Sequence, residues 1–315
     1  MNIIFTVCNR TSLAHALALA KSVMQYPGNL FYLGWVDYTE LTDLPAYIKL
    51  IRPDEVAIPK WQHMTEQYYD FELVNACRPW FLKHLLQLHP DHCGFTFFAP
   101  TVFLYNSFEE IISTPSGMQV TPHITKALAK SAVLDDKRIL NVGIFHAGSW
   151  AFNRSEESLR FLDWWAERTL DRAKFDLCNG MCMDQLWLNF VLVLIPDAIQ
   201  ISNPGWHYGL HSVLNKQLEL KDQTYLVEGE KLISADFAGL DFFDPIWSDH
   251  APLLKNSGLY KTLYSDYKKI VNSFKQFVPS GKPGFGRNPD IKPDRLVRKK
   301  WRANLKSITQ FIDQF

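Results

Sequence analysis

The sequence predicts an α/β fold, a mostly parallel sheet flanked by helices. Three observations carry this. The first hundred residues alternate short apolar, β-branched runs with stretches of helical periodicity, and such alternation is how a parallel sheet is wired. Hydrophobic residues make up 47% and charged residues 21% of the 315, the ordinary balance of a globular chain long enough for one large domain or two coupled ones. The 22 Phe, 12 Tyr and 10 Trp supply volume for a sizeable core and an aromatic-lined cleft.

Taken in order, residues 2–7 form an apolar run that reads as a buried strand rather than a signal peptide, because Asn9 and Arg10 follow at once. Residues 12–24 place Leu13, Ala16, Leu17, Ala20 and Val23 on one side of a helix. Residues 30–36 are a second strand, stopping at Asp37; residues 72–88 are a long helix and residues 95–98 a third strand. Ligands of parallel sheets gather at the carboxyl ends of the strands, so the turns at 6–10, 37 and 99–102 are the places to inspect. Downstream, residues 139–145 and 150–152 read as strands around a turn at Gly148. Residues 155–170 are an amphipathic helix with Ser155 as N-cap and Glu156 and Glu157 in its first turn. Residues 183–193 read as a helix buried on most sides, and 198–202, 224–227 and 232–235 as short strands. The Gly/Pro-rich stretch 279–293 reads as a linker. Beyond it, Asp294 caps a final helix in which Val297, Trp301, Leu305, Ile308 and Ile312 recur at three- and four-residue spacing among basic residues. The expected organisation is a domain over 1–278 and a linker with a basic helix over 279–315.

Formal net charge is zero, which excludes a uniformly basic nucleic-acid binder and an acidic solvating tail. The zero conceals an asymmetry. Residues 281–315 carry nine basic side chains against three acidic ones. Such a block suits a phosphate or lipid head-group surface, or is simply one solvated face. The five cysteines are odd in number and lack C-x-x-C spacing, so they read as reduced thiols of a cytoplasmic protein. No P-loop, G-x-G-x-x-G, H-E-x-x-H or G-x-S-x-G motif occurs. The common NTPase, dehydrogenase, zincin and hydrolase classes lose ground accordingly.

A more specific pattern is an ordered set of segments: Thr6–Val7, ELVNACRP at 72–79, FFAPTV at 97–102, SFEEI at 107–111, VTPH at 120–123, FHAGSW at 145–150, RFLDWW at 160–165, MDQLW at 183–187, NPGWH at 203–207 and ADFAG at 235–239. In order and spacing the set resembles bacterial nucleotide-sugar glycosyltransferases of the GT-A fold, the group related to glycosyltransferase family eight. The resemblance covers about residues 1–275. It implies a GT-A-like sheet, a nucleotide-sugar donor and a role in polysaccharide biosynthesis. It also implies a divalent ion held against the donor diphosphate by an Asp-x-Asp pair.

The departures are informative. At the Asp-x-Asp positions stand Ala99 and Thr101 around Pro100. A methyl cannot ligate, and a hydroxyl is a poor substitute for a carboxylate. Asp236 stands where the family carries a further His ligand, and His146 and His207 stand at two Asn positions, while Asp184 and Gln185 are retained. These departures imply that no divalent-metal cofactor is expected. The departing charge is met instead by side chains such as Arg78, at a family Lys position, or the donor has a monophosphate link, or the chain is a pseudoenzyme that binds a glycan or partner.

The resemblance assigns Asp184, Gln185 and His146 to catalysis, Thr6, Val7, Asn9, Asp37, Arg78, Ala99 and Thr101 to the donor, and His207 and Trp206 to the acceptor. Plainer readings stand beside these. Asp184 also fits a helix N-terminal carboxylate, His146 a hydrogen-bonded core histidine or a general base, Asp37 a turn cap, and Arg78 an ordinary ion pair. His207 and His211 have zinc-like spacing, but Pro204 and Gly205 argue against a helix and no adjacent Cys or Glu completes a set. The expected function is sugar transfer from an activated donor to a glycan or lipid-linked acceptor. The expected place is the cytoplasm, peripheral on the inner membrane face through the basic helix, with no nucleic-acid partner.

Overall fold

The computed structural model describes residues 2–129, 136–241 and 244–288, with Trp301, Asn304 and Leu305 beyond them. In chain order the elements are β1 Asn2–Cys8, α1 Leu13–Val23, β2 Asn29–Trp35, β3 Ile48–Ile51, α2 Trp61–Gln67, α3 Asp70–Leu88, β4 Gly94–Phe98, β5 Val102–Leu104 and α4 Glu109–Ile112. There follow β6 Met118–Pro122, α5 Asp136–Val142, β7 Phe145–Asn153, α6 Glu156–Thr169, β8 Phe175–Asp176, β9 Met181–Cys182, α7 Val191–Leu194 and β10 Ile199–Gln200. Last come β11 Leu218–Lys221, β12 Thr224–Val227, β13 Glu230–Lys231, β14 Ser234–Asp236 and α8 Gly258–Phe274.

The expected mixed α/β architecture is present. Seven strands form one sheet in the order β10-β6-β7-β4-β1-β2-β3. All its pairings are parallel except those of β7, which runs against β4 and β6. Running backwards, β7 brings its first residues, not its last, to the carboxyl end of the sheet. His146 therefore sits beside the turns that leave β4 and β6. The central strand β1 is buried on both faces from Ile3 onward, as expected of a parallel strand covered on both sides.

Two apolar cores hold the layers. The larger surrounds the sheet and contains Phe5, Phe97, Trp150 and Trp165. The second contains Phe237, Trp247, Tyr260 and Tyr267 and joins α8 to α1. Pro79 lies inside α3 without ending it. That helix begins with a capping box, in which the Tyr69 amide donates to Glu72 Oε2 at 2.8 Å.

Several expectations are corrected. Residues 139–144 are not a strand, although Phe145 opens β7: Ile139 and Val142 are the buried pair of α5, three apart as a helical face requires. Nor is Gly148 a turn. It lies inside β7, where an added Cβ would stand 2.6 Å from His207 Cε1. The 183–193 segment is a 3-10 turn, Gln185–Phe190, followed by α7, and it exposes Phe190 and Val193 rather than burying most sides. Elements β3, α2 and α8 had no counterpart in the sequence reading. The first part of the supposed linker is docked on the body of the domain. The final helix lies outside the described residues except for Trp301, Asn304 and Leu305, which are helical and exposed. No helix among the described residues is long and apolar enough to cross a membrane.

Candidate active site

The carboxyl ends of the strands carry the polar residues. At the end of β1, Arg10 reaches the turn after β2. Its Nε and Nη2 each donate to an Asp37 carboxylate oxygen at 2.7 Å, and Nη2 also donates to Thr39 Oγ1. Burial pushes the Asp37 carboxyl up, but the Arg10 hydrogen bonds outweigh it and leave the group below the ordinary carboxylate range. Arg10 Nη1 donates to the Ser280 carbonyl, tying residues 279–288 across this end of the sheet. Asp37, expected at the donor, is therefore held in a two-pronged ion pair that charge spacing alone does not reveal. Beside it lies a cavity of about 440 Å³ lined by Asp37, Tyr38, Arg52, Trp61 and Phe285. A larger one, about 850 Å³, opens at the opposite, amino end of the sheet among Asn2, Gly94 and Asn153, where the strand-end rule places no ligand.

Further along the sheet, Arg78 on α3 faces Asp184. Its Nη1 lies 3.2 Å from both carboxylate oxygens and 3.5 Å from the Ala147 carbonyl, with the guanidinium 4.9 Å over the Phe97 ring. Burial raises Asp184 to about 6, an effect that Arg78 offsets only in part. Met183, immediately before it, holds a left-handed φ of 50°, a strained backbone of the kind that collects at functional sites. Gln185 Oε1 accepts the Ala147 amide at 3.0 Å and Nε2 donates to the Val142 carbonyl at 2.7 Å. The retained Asp-Gln pair thus braces the start of β7.

That strand presents His146 to a buried polar cluster. His146 Nδ1 accepts the Gly148 amide at 2.8 Å and lies 3.2 Å from His207 Nε2. His207 Nε2 is 3.3 Å from Asp236 Oδ2, and Thr101 Oγ1 donates to Asp236 Oδ1 at 2.6 Å. Burial pushes Asp236 up, yet the hydrogen bonds from His207, Thr101 and the Ala238 amide prevail and hold it below its ordinary range. Burial and the neighbouring His207 and His123 hold His146 well below the usual histidine range, so its ring is neutral. A neutral ring can accept a proton, but a pKa held so far down makes it a weak general base, and its Nδ1 already accepts the Gly148 amide. His207 takes a left-handed φ of 54°, unusual for a residue with a Cβ.

Neither Ala99 nor Thr101 presents a free carboxylate oxygen, the donor that Mg²⁺ or Mn²⁺ seeks. Ala99 offers a methyl, and the Thr101 hydroxyl is committed to Asp236. His146, His207 and Asp236 are a different donor set, with one ligand atom from each within 4.8 Å of the others.

The structure brings Arg78, Asp184, Gln185, His146, His207, Asp236 and Thr101 into two hydrogen-bonded clusters that meet at residues 146 and 147 of β7. It does not bring every expected residue to an open surface. Thr6 and Val7 are fully buried in β1. Trp206 is buried, its Nε1 donating to Thr121 Oγ1 at 2.7 Å. The Asn9 side chain accepts the Thr11 amide. Arg10 and the role of Asp236 as hub of the cluster went unassigned in the sequence. So did His123, His211 and Trp247, whose rings pack around His146. The signals for the histidines were the VTPH segment for His123 and the His207/His211 spacing for His211; nothing in the sequence marked Trp247.

No protein-family model matches the chain. Over 177 residues, 53% of the chain, it is 25% identical to the uncharacterized protein YfnF of Bacillus subtilis (strain 168); the match spans 56% of YfnF, so the chain covers little more than half of that relative. Among solved structures it is similar to the galactosyltransferase LgtC in complex with donor and acceptor sugar analogs, at TM-score 0.48 and 13% identity over 90% of this chain and 98% of that one. It is also similar to the apo bifunctional glycosyltransferase WbbM, at TM-score 0.48 and 14% identity over 83% of this chain and 51% of that one. A third likeness is to a glycosyltransferase involved in the glycosylation of the major capsid of PBCV-1, at TM-score 0.45 and 9% identity over 80% and 98% of the two chains.

Proposed function

We propose that the chain is a glycosyltransferase that moves a sugar from an activated, nucleotide-linked donor to a glycan or lipid-linked acceptor without needing Mg²⁺ or Mn²⁺. One observation carries this reading. Positions that the family resemblance marks, scattered from Arg78 to Asp236 in sequence, gather at the carboxyl end of the sheet in two hydrogen-bonded clusters that meet at residues 146 and 147 of β7. Displacement at an anomeric carbon develops positive charge on the sugar and negative charge on the departing phosphate. Arg78 and Arg10 are the guanidinium groups at this end of the sheet suited to the phosphate. Asp184, Gln185 and His146 would orient donor and acceptor. The reading extends to a peripheral membrane location through the basic residues after 290.

A second reading is a non-catalytic glycan- or partner-binding module. It is favoured by the ion-paired state of both Asp37 and Asp184, which leaves neither carboxylate available without breaking a buried pair. Incubation with a panel of nucleotide sugars and lipid-phosphate sugars, with and without added Mn²⁺, separates the two by mass spectrometry. Glycosyl transfer or donor hydrolysis that does not respond to Mn²⁺ is expected. No turnover with any donor, together with no nucleotide-induced thermal shift, sinks the enzyme reading. Activity that appears only in Ala99→Asp/Thr101→Asp with Mn²⁺ favours the binding module.

A further inference from the structure

We propose that His146, His207 and Asp236 bind a transition-metal ion of the Zn²⁺ type. The inference rests on their geometry and stands whether or not the chain transfers sugar. Three separate segments supply the donors: the start of β7, the left-handed turn at His207 and the end of β14. Their side chains are 7%, 0% and 3% exposed. His146 Nδ1 to His207 Nε2 is 3.2 Å, and His207 Nε2 to Asp236 Oδ2 is 3.3 Å. Two ligands each about 2.0–2.1 Å from a tetrahedral ion stand about 3.3 Å apart, so these two separations match an edge of a zinc tetrahedron; the third pair is wider, with His146 Nε2 3.8 Å from Asp236 Oδ2.

The hydrogen bonding of the cluster points the same way. The single in-plane lone pair of His146 Nδ1 faces two groups, the Gly148 amide and His207 Nε2. Meanwhile His146 Nε2 and His207 Nδ1, both buried, have no hydrogen-bond partner. A settled polar network shares its donors out; this one crowds nitrogens around a single point. A cation there replaces the Gly148 amide at His146 Nδ1 and draws on the facing lone pairs of His146, His207 and Asp236 together. Asp236 is already oriented from behind by Thr101, as a ligating carboxylate commonly is. His123, with its ring 4.9 Å from that of His146, sets Nδ1 against the Gly143 carbonyl at 2.8 Å and leaves Nε2 as a buried acceptor without a partner. That is the tautomer of a metal-binding histidine, but His123 stands outside the trio whose ligand atoms lie within 4.8 Å of one another, which leaves the fourth position of a tetrahedral ion to water. Imidazole nitrogens with one carboxylate suit Zn²⁺ and its first-row neighbours, not the oxygen-seeking Mg²⁺ or Mn²⁺.

The test uses the full chain, expressed with added Zn²⁺, purified without chelator and assayed by inductively coupled plasma mass spectrometry. About one zinc ion per chain is expected. His146→Gln, His207→Gln and Asp236→Asn should each lower the retained zinc roughly tenfold or more. Should any variant not fold, wild-type protein alone decides. Chelator-stripped chain refilled with Co²⁺ should develop the visible absorption of tetrahedral cobalt, and Zn²⁺ should raise its melting temperature. Wild-type protein that purifies without zinc, shows no cobalt band and is not stabilised by Zn²⁺ overturns the proposal. Equal zinc retention in folded variants overturns it as well.

Discussion

The pairing of Arg78 with Asp184 shows what one residue position costs when its partner is lost. Both side chains are nearly inaccessible, 10% and 0% exposed. Removing one partner leaves the other charge without water or counter-ion, whereas removing both leaves neither. Asp184→Asn and Arg78→Met should each cost about 3–5 kcal/mol, and the double variant distinctly less than their sum. Urea unfolding of the four proteins measures this coupling; costs that add to within about 0.5 kcal/mol would show that the two charges do not interact. The pair was legible in the sequence only as two separate candidates, because 106 positions separate them and nothing local sets their distance. Aligned motif positions were readable one by one: His146, His207, Asp184, Gln185 and Arg78 do meet. Arg10 was not readable, since a strand-end arginine looks alike whether it faces solvent or, as here, grips Asp37.

Among elements, those with strong periodicity were legible and those without were not. Strand β1, helix α1 and helix α6 lie where apolar spacing and the Ser155 cap put them. Strand β3 is four residues long and α2 buries only Met64, so neither writes a pattern into the sequence. The segment 279–288 was misleading in another way. Its glycines and proline look like a flexible connection, yet they allow close docking. The Arg287 amide donates to the Tyr68 carbonyl at 2.7 Å, the Asp70 amide to the Arg287 carbonyl at 3.0 Å, and the Arg287 guanidinium lies 4.6 Å over Tyr69. Gly286 holds φ at +81°, and an added Cβ would stand 2.7 Å from Asp70 Cα. Gly286→Ala therefore combines a disfavoured backbone with a backbone collision. It should release the segment without unfolding the sheet. Limited trypsin digestion read by mass spectrometry should show cleavage after Arg287 accelerated several-fold, with a melting temperature close to wild type. Unchanged cleavage would mean that the docking does not depend on this glycine.

At the scale of the whole molecule, the two cores meet where α1 packs on α8, and a titratable group sits at that seam. His15 on α1 is 6% exposed, with Nδ1 2.7 Å from Tyr267 Oη on α8 and Nε2 3.9 Å from Asp241 Oδ2. Burial lowers its pKa from 6.5 to about 4; Asp241 and the more distant Asp236 oppose the shift, and Lys275 adds to it. The folded chain thus keeps His15 neutral over a range in which the unfolded chain protonates it. Stability from this group is fully present above pH 6.5, falls as the pH drops and is gone below about 4, because throughout that window the unfolded state binds the extra proton. Each pH unit inside the window costs about 1.4 kcal/mol. Between pH 7 and pH 5 the loss assignable to His15 is then about 2 kcal/mol. His15→Gln keeps a polar partner for Tyr267 but cannot titrate. Its urea midpoint should fall less than that of wild type over the same pH change, although both fall, since His123 and His211 are also buried with lowered pKa values. Equal losses in the two proteins would remove His15 from the account and leave acid sensitivity to the histidines around Asp236. A smaller loss in the variant would assign the difference to protonation of His15 at the α1–α8 seam.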